Sequence, residues 1–398
     1  MSIVHYFSPT YNEEEFDFSH YESYLKNNYL GKDIPFFISD WNSGQSVNHL
    51  KVIANHALES SITHIDHYFS CHENECREKI AGHLHKEHKI KININQITIG
   101  NNATSLINFC IQNLIFRGVQ RYLAIAPIYF SAIDAISLGN GEVTIFQPSF
   151  PNLTFNIDEL DKIIQKNNIQ AIIITDPYFG FGKKIEICDF NQIITICRKN
   201  RCIMICDFAR YGLDLNCETE PLLFNEKLDF FEETDRFAVI YSPCKKYFAN
   251  GIKTAIMITS YDMCATVSDY ADSVLGSISS SQIAFLNSIL DESNFETLQA
   301  NLQTNKRQIV ANYERVVSYN LDSNIFTSKP DMGNYMVLGL EKKENDFNMF
   351  KLIARKHNII SLPLSLYHFF AQSKYLFRVN LLSNTAKLLD AVDDLQSV

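Results

Sequence analysis

Short apolar segments alternate with helix-forming segments through the middle of the chain, and this alternation restricts the possible folds more than any other feature. Residues 169–175, 202–206 and 237–241 are mostly apolar, as expected of strands buried on both faces of a parallel sheet. Helical patterns at residues 156–167 and 188–199 precede the first two of them. The chain is therefore predicted to be an α/β protein with a mainly parallel sheet covered by helices.

Polar and aromatic side chains stand where several of these strands end. Asn101, Tyr129, Phe179, Asp207 and Lys245 each close or follow an apolar segment. The carboxyl ends of parallel strands meet at one edge of a sheet, and ligands bind at that edge in folds of this class. We expect these five side chains to surround a small-molecule site.

The parallel-strand pattern stops after about residue 275, which indicates a second structural unit. The later elements are predicted as helices at 279–290, 296–320, 347–357 and 386–395, and strands at 333–338, 359–363 and 375–381. A chain of 398 residues is long enough for two subdomains. We predict an N-terminal arm that is part of the small domain (1–45), a large ligand-binding domain (46–275) and a smaller α+β domain (276–398).

The composition argues against several classes of protein. The formal net charge is −10 without a basic stripe, which argues against nucleic-acid binding. No apolar run approaches the roughly 20 residues of a membrane-spanning helix, and the polar, acidic N-terminus is unlike a signal peptide. The 10 cysteines show neither CxxC nor zinc-finger spacing. No metal site is therefore predicted, and free thiols favour a cytoplasmic location.

Two adjacent lysines follow the strand at residues 237–241. Ser242 and Lys245 are spaced as Ser-x-x-Lys, Gly251 lies six residues after Lys245, and Lys253 lies two residues further on. A lysine held at a sheet edge in a partly dry site can lose its proton and act as a nucleophile. A pair of solvated surface lysines is the alternative interpretation.

This segment resembles the lysine segment of fold-type I pyridoxal-phosphate enzymes, in particular the class I/II aminotransferases and aminocyclopropane-carboxylate-synthase-like enzymes. The resemblance implies a large sheet of the seven-stranded type, a smaller α+β domain, and pyridoxal 5'-phosphate as cofactor. It also implies that Lys245 forms the internal aldimine and then acts as general acid and base, while Ser242 and Lys253 hold the coenzyme phosphate. The family usually has Arg in place of Lys253, and Lys lacks the bidentate fork.

Two further segments match the coenzyme site of this family. Residues 96–106 run from a strand into a helix, and a helix N-terminus can bind an anion. The resemblance implies that Asn101, Asn102 and Ala103 hold the phosphate there, although a capped helix without a ligand is the alternative. Tyr129 closes a strand in a Pro-x-Tyr sequence, and the resemblance implies that its ring covers the coenzyme ring.

Tyr68 fits the spacing of a family tyrosine that reaches the coenzyme phosphate of the partner subunit, and Arg77 matches a family arginine nine residues further on. The resemblance therefore implies a homodimer with its active site at the subunit interface. His72 stands where the family usually has Gly, so a tyrosine packed within its own subunit is an equal alternative.

Asp207, Arg378 and Trp41 complete the candidate residues. Asp207 closes an apolar strand, and the resemblance implies that it keeps the coenzyme ring nitrogen protonated; a turn or capping aspartate is the alternative. Arg378 lies in an otherwise apolar strand. The resemblance implies that it binds the substrate α-carboxylate, and an edge-strand arginine facing water is the alternative. Trp41 is expected to be a buried anchor; because this region borders the substrate in the resembled family, a place in the pocket is the alternative.

The chain departs from the family at the residues that contact the phenolic oxygen of the coenzyme. The family usually reads Asn-Pro-x-Asn-Pro-x-Gly where residues 176–182 read Asp-Pro-Tyr-Phe-Gly-Phe-Gly, so Phe179 replaces a hydrogen-bond donor. Arg210 replaces a family tyrosine, with Tyr211 next to it. Arg210 either replaces both donors as a cation or holds a second substrate anion. These changes favour β/γ-elimination or replacement, cyclisation or decarboxylation over transamination, unless Tyr211 or a water supplies the missing bond.

We therefore predict a cytoplasmic, homodimeric pyridoxal-phosphate enzyme of amino acid metabolism or biosynthesis that acts on an α-amino acid. It is predicted to be aminotransferase-like, a transferase or a lyase. Two alternatives belong to other classes: a catalytically silent coenzyme-binding sensor or scaffold, and an interaction protein that has lost the coenzyme. The acidic charge argues against the first, and the retained Lys245, Asp207 and Arg378 argue against the second.

Overall fold

The structure is a computed structural model that describes residues 3–6, 17–29, 35–41, 48–63, 72–223, 236–260, 263, 271, 274–318 and 325–396. Tyr68 lies outside these ranges. Among the described helices, none is both long enough and apolar enough to cross a membrane.

The described strands alternate with helices through the first two thirds of the chain. The strands are β1 (Ile3–Tyr6), β2 (Phe36–Phe37), β3 (Ile97–Gly100), β4 (Arg121–Ile125), β5 (Glu142–Phe146), β6 (Ala171–Thr175), β7 (Ile203–Phe208), β8 (Phe237–Tyr241), β9 (Ala255–Thr259), β10 (Phe326–Thr327), β11 (Tyr335–Glu341), β12 (Ile359–Ile360), β13 (Leu362–Pro363) and β14 (Lys374–Asn380). The helices are α1 (Phe18–Tyr29), α2 (Asn48–Ile62), α3 (Glu73–His88), α4 (Ala103–Phe116), α5 (Phe130–Leu138), α6 (Ile157–Lys166), α7 (Ile187–Asn200), α8 (Pro243–Lys246), α9 (Ser280–Ile289), α10 (Phe295–Ser318), α11 (Asp346–His357) and α12 (Thr385–Leu395).

The large sheet has eight strands in the order β1-β5-β4-β6-β7-β8-β9-β3. In this spatial order, each strand from β1 across to β8 is parallel to the next one. Strand β9 is antiparallel to both of its neighbours, β8 and β3. The predicted α/β class and the mainly parallel sheet are confirmed. The eighth strand is β1, which belongs to the N-terminal segment and adds to one edge of the sheet, where the sequence predicted no strand.

The central strands of this sheet are mostly apolar because helices cover both faces. Every residue of β6, β7, β8 and β9 is buried, which explains their mostly apolar sequences; their polar residues Thr175, Asp207 and Thr259 lie at or next to the carboxyl ends. Some of the helices beside these strands begin with an asparagine cap. Asn156 accepts a hydrogen bond from the Glu159 amide at the start of α6, and caps of this kind satisfy amides that have no helical partner.

A second, antiparallel sheet forms from the C-terminal part of the chain in the order β10-β11-β14-β13. Strands β2 and β12 make a separate parallel pair that ties the segment before Trp41 to this region. In register, Arg378 of β14 faces Val337 on β11 and Leu362 on β13. Arg378 is therefore in an interior strand of the four-stranded sheet, and the alternative of an edge-strand arginine facing water is wrong.

Gly182 lies where the turn after β6 meets the small sheet. Its carbonyl oxygen accepts hydrogen bonds from the amides of Asp331 and Met332, both at 2.8 Å. Its φ is +64°, and a Cβ there would lie 2.8 Å from the carbonyl oxygen of Met332 and closer still to that of Tyr335. Only glycine fits this conformation and this approach of two backbones without strain. The contact fixes the start of β11 beside the carboxyl ends of the large sheet.

Candidate active site

A cavity of about 440 Å³ opens at the carboxyl ends of the parallel strands. Its position is the one predicted for a ligand site in a sheet of this kind. The residues predicted for the site that line this cavity are Asn102, Ala103, Tyr129, Phe179, Asp207, Arg210, Ser242, Lys245 and Lys253. Asn101 and Arg378 are not on the wall, and Tyr68 cannot be placed because it lies outside the described residues.

Lys245 is half-buried on the one-turn helix α8, which follows β8 directly. Ser242 follows the strand as the N-cap residue of the helix, and Pro243 starts the helix at a position where no amide donor is required. Burial, together with repulsion from Arg210, lowers the pKa of Lys245 from 10.5 to about 8, while Asp207 acts in the opposite direction. The cavity therefore holds an amine that loses its proton far more readily than a solvated lysine.

Lys246 points away from the cavity into a separate buried cluster. Its Nζ atom donates a hydrogen bond to the carbonyl oxygen of Leu223 at 3.0 Å and lies 3.7 Å from a carboxylate oxygen of Glu220. Lys306 approaches the other oxygen of Glu220 at 2.8 Å. Lys246 is almost completely buried. Of the two adjacent lysines, Lys245 is thus the one that faces the cavity, as the sequence spacing predicts.

Asp207 is the penultimate residue of β7 and is only 7% exposed. Its Oδ1 atom accepts a hydrogen bond from the Ala209 amide at 3.0 Å. Burial raises the pKa of Asp207, whereas Lys245, the Ala209 amide and Arg210 lower it. A buried carboxylate on the cavity wall beside two cations can accept a hydrogen bond from a protonated heterocycle.

The N-terminus of α4 forms one end of the cavity. Asn102 is its cap, and its side chain accepts a hydrogen bond from the Ser105 amide at 2.9 Å. Asn102 and Ala103 line the wall, whereas the Asn101 side chain donates to the Leu275 carbonyl at 3.5 Å. Partial positive charge at a helix N-terminus favours an anion at this end.

Ser242 and Lys253 belong to the wall that Lys245 occupies. The Ser242 hydroxyl donates a hydrogen bond to the carbonyl oxygen of Thr254 at 2.8 Å. Lys253 is exposed and lines the cavity. A compact ammonium group in this position can neutralise an anion without the fixed geometry of a guanidinium group.

Aromatic rings form the opposite side of the cavity. The ring centroid of Phe179 lies 5.6 Å from that of Tyr129, 6.1 Å from that of Trp41 and 4.4 Å from that of Tyr367. Thr104 donates a hydrogen bond to the Tyr129 hydroxyl at 3.4 Å. Trp41 is only half-buried and lines the cavity. Trp41 is therefore not a fully buried anchor, because its indole packs against the core and also lines the cavity, as the alternative of a pocket role predicts.

Arg210 lines the cavity and is turned towards the first residues of β11. Its Nη1 atom donates to Asn334 Oδ1 at 3.2 Å, and its Nη2 atom donates to the Tyr335 hydroxyl at 3.1 Å. Its Cζ atom lies 4.4 Å from the Tyr335 ring centroid. Burial lowers the pKa of Arg210, whereas Tyr335 raises it. An arginine remains a cation under these conditions.

Arg378 lies behind the aromatic wall and has no exposed surface. Its Cζ atom is 3.9 Å from the ring centroid of Trp41 and 4.2 Å from that of Tyr335. Its Nη2 atom donates to the Ser39 carbonyl at 2.5 Å, but Nε and Nη1 have no hydrogen-bond partner among the described residues. A buried guanidinium group with two free donors is a position that favours an anion.

Several wall residues were not predicted from the sequence. Asn250 donates a hydrogen bond to the Trp41 carbonyl at 3.2 Å, and Asp176 accepts one from the Ile185 amide at 2.9 Å. Both line the cavity together with Thr254. Asn250 and Thr254 flank Lys253, so proximity to the lysine segment was the available signal. Within the described residues no three His, Cys, Asp or Glu side chains are placed to hold a metal ion.

Comparison with known families gives a match over nearly the whole chain. The family model for aminotransferase class I and II matches residues 38–395. No curated protein sequence was found to match the chain.

Solved structures with a similar fold are numerous. A protein from Escherichia coli whose structure and reactivity identify a methionine aminotransferase function is 14% identical, with 98% of each chain covered and a TM-score of 0.77. An aspartate aminotransferase from Thermotoga maritima is 16% identical, with 95% of each chain covered and a TM-score of 0.75. A putative kynurenine aminotransferase from Saccharomyces cerevisiae is 14% identical, covers 97% of this chain and 96% of its own, and has a TM-score of 0.75. At these identities the likeness is one of fold.

Proposed function

Because the chain belongs to the class I and II aminotransferase family, we propose that it is a pyridoxal 5'-phosphate-dependent enzyme that acts on the amino group of an α-amino acid. The family is named for transamination, which is therefore the default reaction. The observation that carries the proposal is the convergence of Lys245, Asp207 and the N-terminus of α4 on one cavity.

The chemistry of the donors suits this coenzyme. The amides of Asn102 and Ala103 and the Lys253 ammonium group would hold a phosphate at one end of the cavity. The Ser242 hydroxyl would join them only by turning away from the Thr254 carbonyl to which it donates. Asp207 would accept a hydrogen bond from a protonated pyridine nitrogen. When bound, the coenzyme supplies an electron sink that is conjugated to the substrate Cα.

Lys245 has two roles in this proposal. Its Nζ atom is the point at which the coenzyme aldehyde would be attached, and a pKa of about 8 keeps part of the amine neutral near pH 7. When it is free, the same amine would move the proton at the substrate Cα. A general base works best when its pKa lies near the operating pH.

The aromatic wall orients the substrate and excludes water. Tyr129 would stack on the flat coenzyme ring, and the rings of Phe179 and Trp41 continue the same side of the cavity. Excluding water strengthens the electrostatic contacts of Asp207 and Arg210 inside the site.

Transfer of isotope tests the proposal. The protein reconstituted with pyridoxal phosphate is incubated with ¹⁵N-labelled amino acids and a 2-oxo acid, and mass spectrometry follows the label. We expect ¹⁵N in the new amino acid and a loss of at least about a hundredfold in rate for Lys245→Ala. Lys199→Ala on α7, which is exposed, is the matched control. Equal rates for the two variants would contradict the role of Lys245.

A second candidate reaction is elimination, replacement, cyclisation or decarboxylation of the amino acid. The observation that favours it is Phe179, which offers the cavity a hydrocarbon ring where the family usually has a hydrogen-bond donor. Incubation with amino acids in the absence of a 2-oxo acid separates the two reactions. Repeated release of ammonia or carbon dioxide supports the second candidate. One equivalent of 2-oxo acid followed by arrest supports transamination.

We also propose a homodimer in the cytoplasm. The proposed contribution of Tyr68 to the partner's phosphate site supports the dimer, and the cysteines in the described part of the chain are free thiols, which suits a reducing compartment. Light scattering gives the oligomeric state, and a monomer with full activity would contradict the shared site.

A further inference from the structure

Two guanidinium groups share the ring of Tyr335. The Cζ atom of Arg210 lies 4.4 Å from its centroid and the Cζ atom of Arg378 lies 4.2 Å from it. The two carbon atoms are therefore no further apart than the sum of these distances, 8.6 Å. Two permanent cations at such a separation repel each other in a partly dry site.

The two arginines face the same small group of residues. Arg210 donates to Asn334, whose own side chain donates to Asn380 Oδ1 at 2.7 Å. The Tyr335 hydroxyl, which accepts from Arg210, donates to the Asp40 carbonyl at 3.2 Å. Arg378 binds the preceding carbonyl, that of Ser39. Arg210 is thus held on the substrate side of the cavity by the start of β11.

The hydrogen-bond partners of both guanidinium groups among the described residues are neutral oxygen atoms. They are Asn334 Oδ1 and the Tyr335 hydroxyl for Arg210, and the Ser39 carbonyl for Arg378. Neutral partners leave the buried charge of Arg378 uncompensated, which is costly, whereas Arg210 has the electrostatic attraction of Asp207 but no hydrogen-bonded anion. Nε and Nη1 of Arg378 are in addition without any partner in the described chain. The unpaired donors and the positive charges of the two arginines favour the binding of anions.

Counting the charged side chains that the coenzyme leaves unpaired then indicates which substrates fit the site. In the proposed function, the coenzyme phosphate takes up Lys253, Asp207 serves the ring nitrogen, and Lys245 is consumed by the covalent attachment. Arg210 and Arg378 remain as permanent cations for the substrate. An amino acid with one carboxylate compensates Arg378 and leaves Arg210 to the phenolic oxygen of the coenzyme, whereas a second anionic group on the substrate would pair with Arg210.

We propose that Arg210 forms a second anion subsite beside Arg378, so that the site prefers an amino acid or oxo acid that carries two anionic groups. Arg378 takes one carboxylate through Nε and Nη1, for which the indole of Trp41 must shift aside, and Arg210 takes the other from the cavity wall. This inference rests on the proposed function for its charge count, and it assigns Arg210 to the substrate instead of to the phenolic oxygen of the coenzyme.

Calorimetric titration of the holoenzyme with unreactive ligands tests the subsite. Succinate and glutarate lack an amino group, and their half-amides, succinamate and glutaramate, have nearly the same shape with one charge removed. We expect a dicarboxylate to bind about tenfold to a hundredfold more tightly than its half-amide, as for a charge-assisted hydrogen bond. In Arg210→Gln the ratio should fall to near one.

Arg378→Gln is the matched comparison. It should weaken dicarboxylate and half-amide together, because both place a carboxylate on this residue. A wild-type ratio near one overturns the proposal, as does an Arg210→Gln variant that keeps the wild-type ratio and instead changes the pH titration of the coenzyme absorbance. The absorbance recorded before each titration reports coenzyme uptake separately. A chain without coenzyme that still prefers the dicarboxylate keeps the anion subsite while the proposed function fails.

Discussion

The ionisation of Lys245 leads to a prediction about the rate at which the coenzyme-free protein captures pyridoxal phosphate. Attachment requires the neutral amine. With a pKa of about 8, about one lysine in ten is neutral at pH 7, compared with about one in three thousand for a lysine at its ordinary pKa of 10.5. The environment of Lys245 therefore increases the reactive fraction about three-hundredfold.

The sign of the pH dependence follows from the charge. Lys245 is a cation below its pKa, so the capture rate should rise as the pH increases through about 8 and level off above it. Arg210→Gln removes a repelling cation, which raises the pKa of Lys245 and moves the midpoint upward. Asp207→Asn removes an attracting carboxylate and moves the midpoint downward.

Stopped-flow absorbance between about pH 6 and pH 11.5 measures these rates, with the range chosen to bracket the pKa shift. The coenzyme titrates in the same way in every variant, so the differences between variants report on Lys245. A wild-type midpoint near the pKa of a solvated lysine would refute the reasoning. So would shifts of Arg210→Gln and Asp207→Asn in the same direction.

Stability measurements by chemical denaturation give two further predictions. Gly182→Ala should lower the free energy of unfolding by about 1–3 kcal/mol, because its φ is +64° and the added Cβ meets two carbonyl oxygens; Gly82→Ala, exposed within α3 and with open space around it, should instead be neutral or stabilising. Lys306→Met should cost about 3 kcal/mol, because it leaves a buried carboxylate with one cation fewer. Lys199→Met, which breaks an exposed ion pair, should cost less than about 1 kcal/mol. Equal losses of unfolding free energy for Gly182→Ala and Gly82→Ala would contradict the close backbone contact at Gly182. Equal losses for Lys306→Met and Lys199→Met would contradict the buried ion pair of Lys306.

Most strands of the large sheet could be predicted from sequence because each of them is a short run of mostly apolar consecutive residues. Strands such as β6 and β7 are apolar until their last one or two residues, since both faces are covered, and each ends at a residue that lines the cavity or stands beside one that does. Strand β1 could not be found in the same way. Its pairing with β5 joins segments that are more than a hundred residues apart, and its four residues carry little periodic pattern.

The positions of the arginine side chains could not be predicted from the sequence. Position in the chain puts Arg378 in a strand and Arg210 after a buried strand, but neither position reveals that both side chains reach the ring of Tyr335. The same holds for Trp41. A lone tryptophan in an irregular segment is commonly buried in a core, and only the fold of residues 35–41 across β14 brings its indole to the cavity.

Borohydride reduction of the holoenzyme followed by peptide mass mapping tests the central claim most directly. Reduction fixes the coenzyme to the amine that carries it. We predict a coenzyme-derived mass on Lys245, together with loss of the visible absorbance, because Lys245 faces the cavity whereas Lys246 is buried against Glu220. A label on Lys246, or a protein that stays colourless and unlabelled with excess pyridoxal phosphate, would contradict the account.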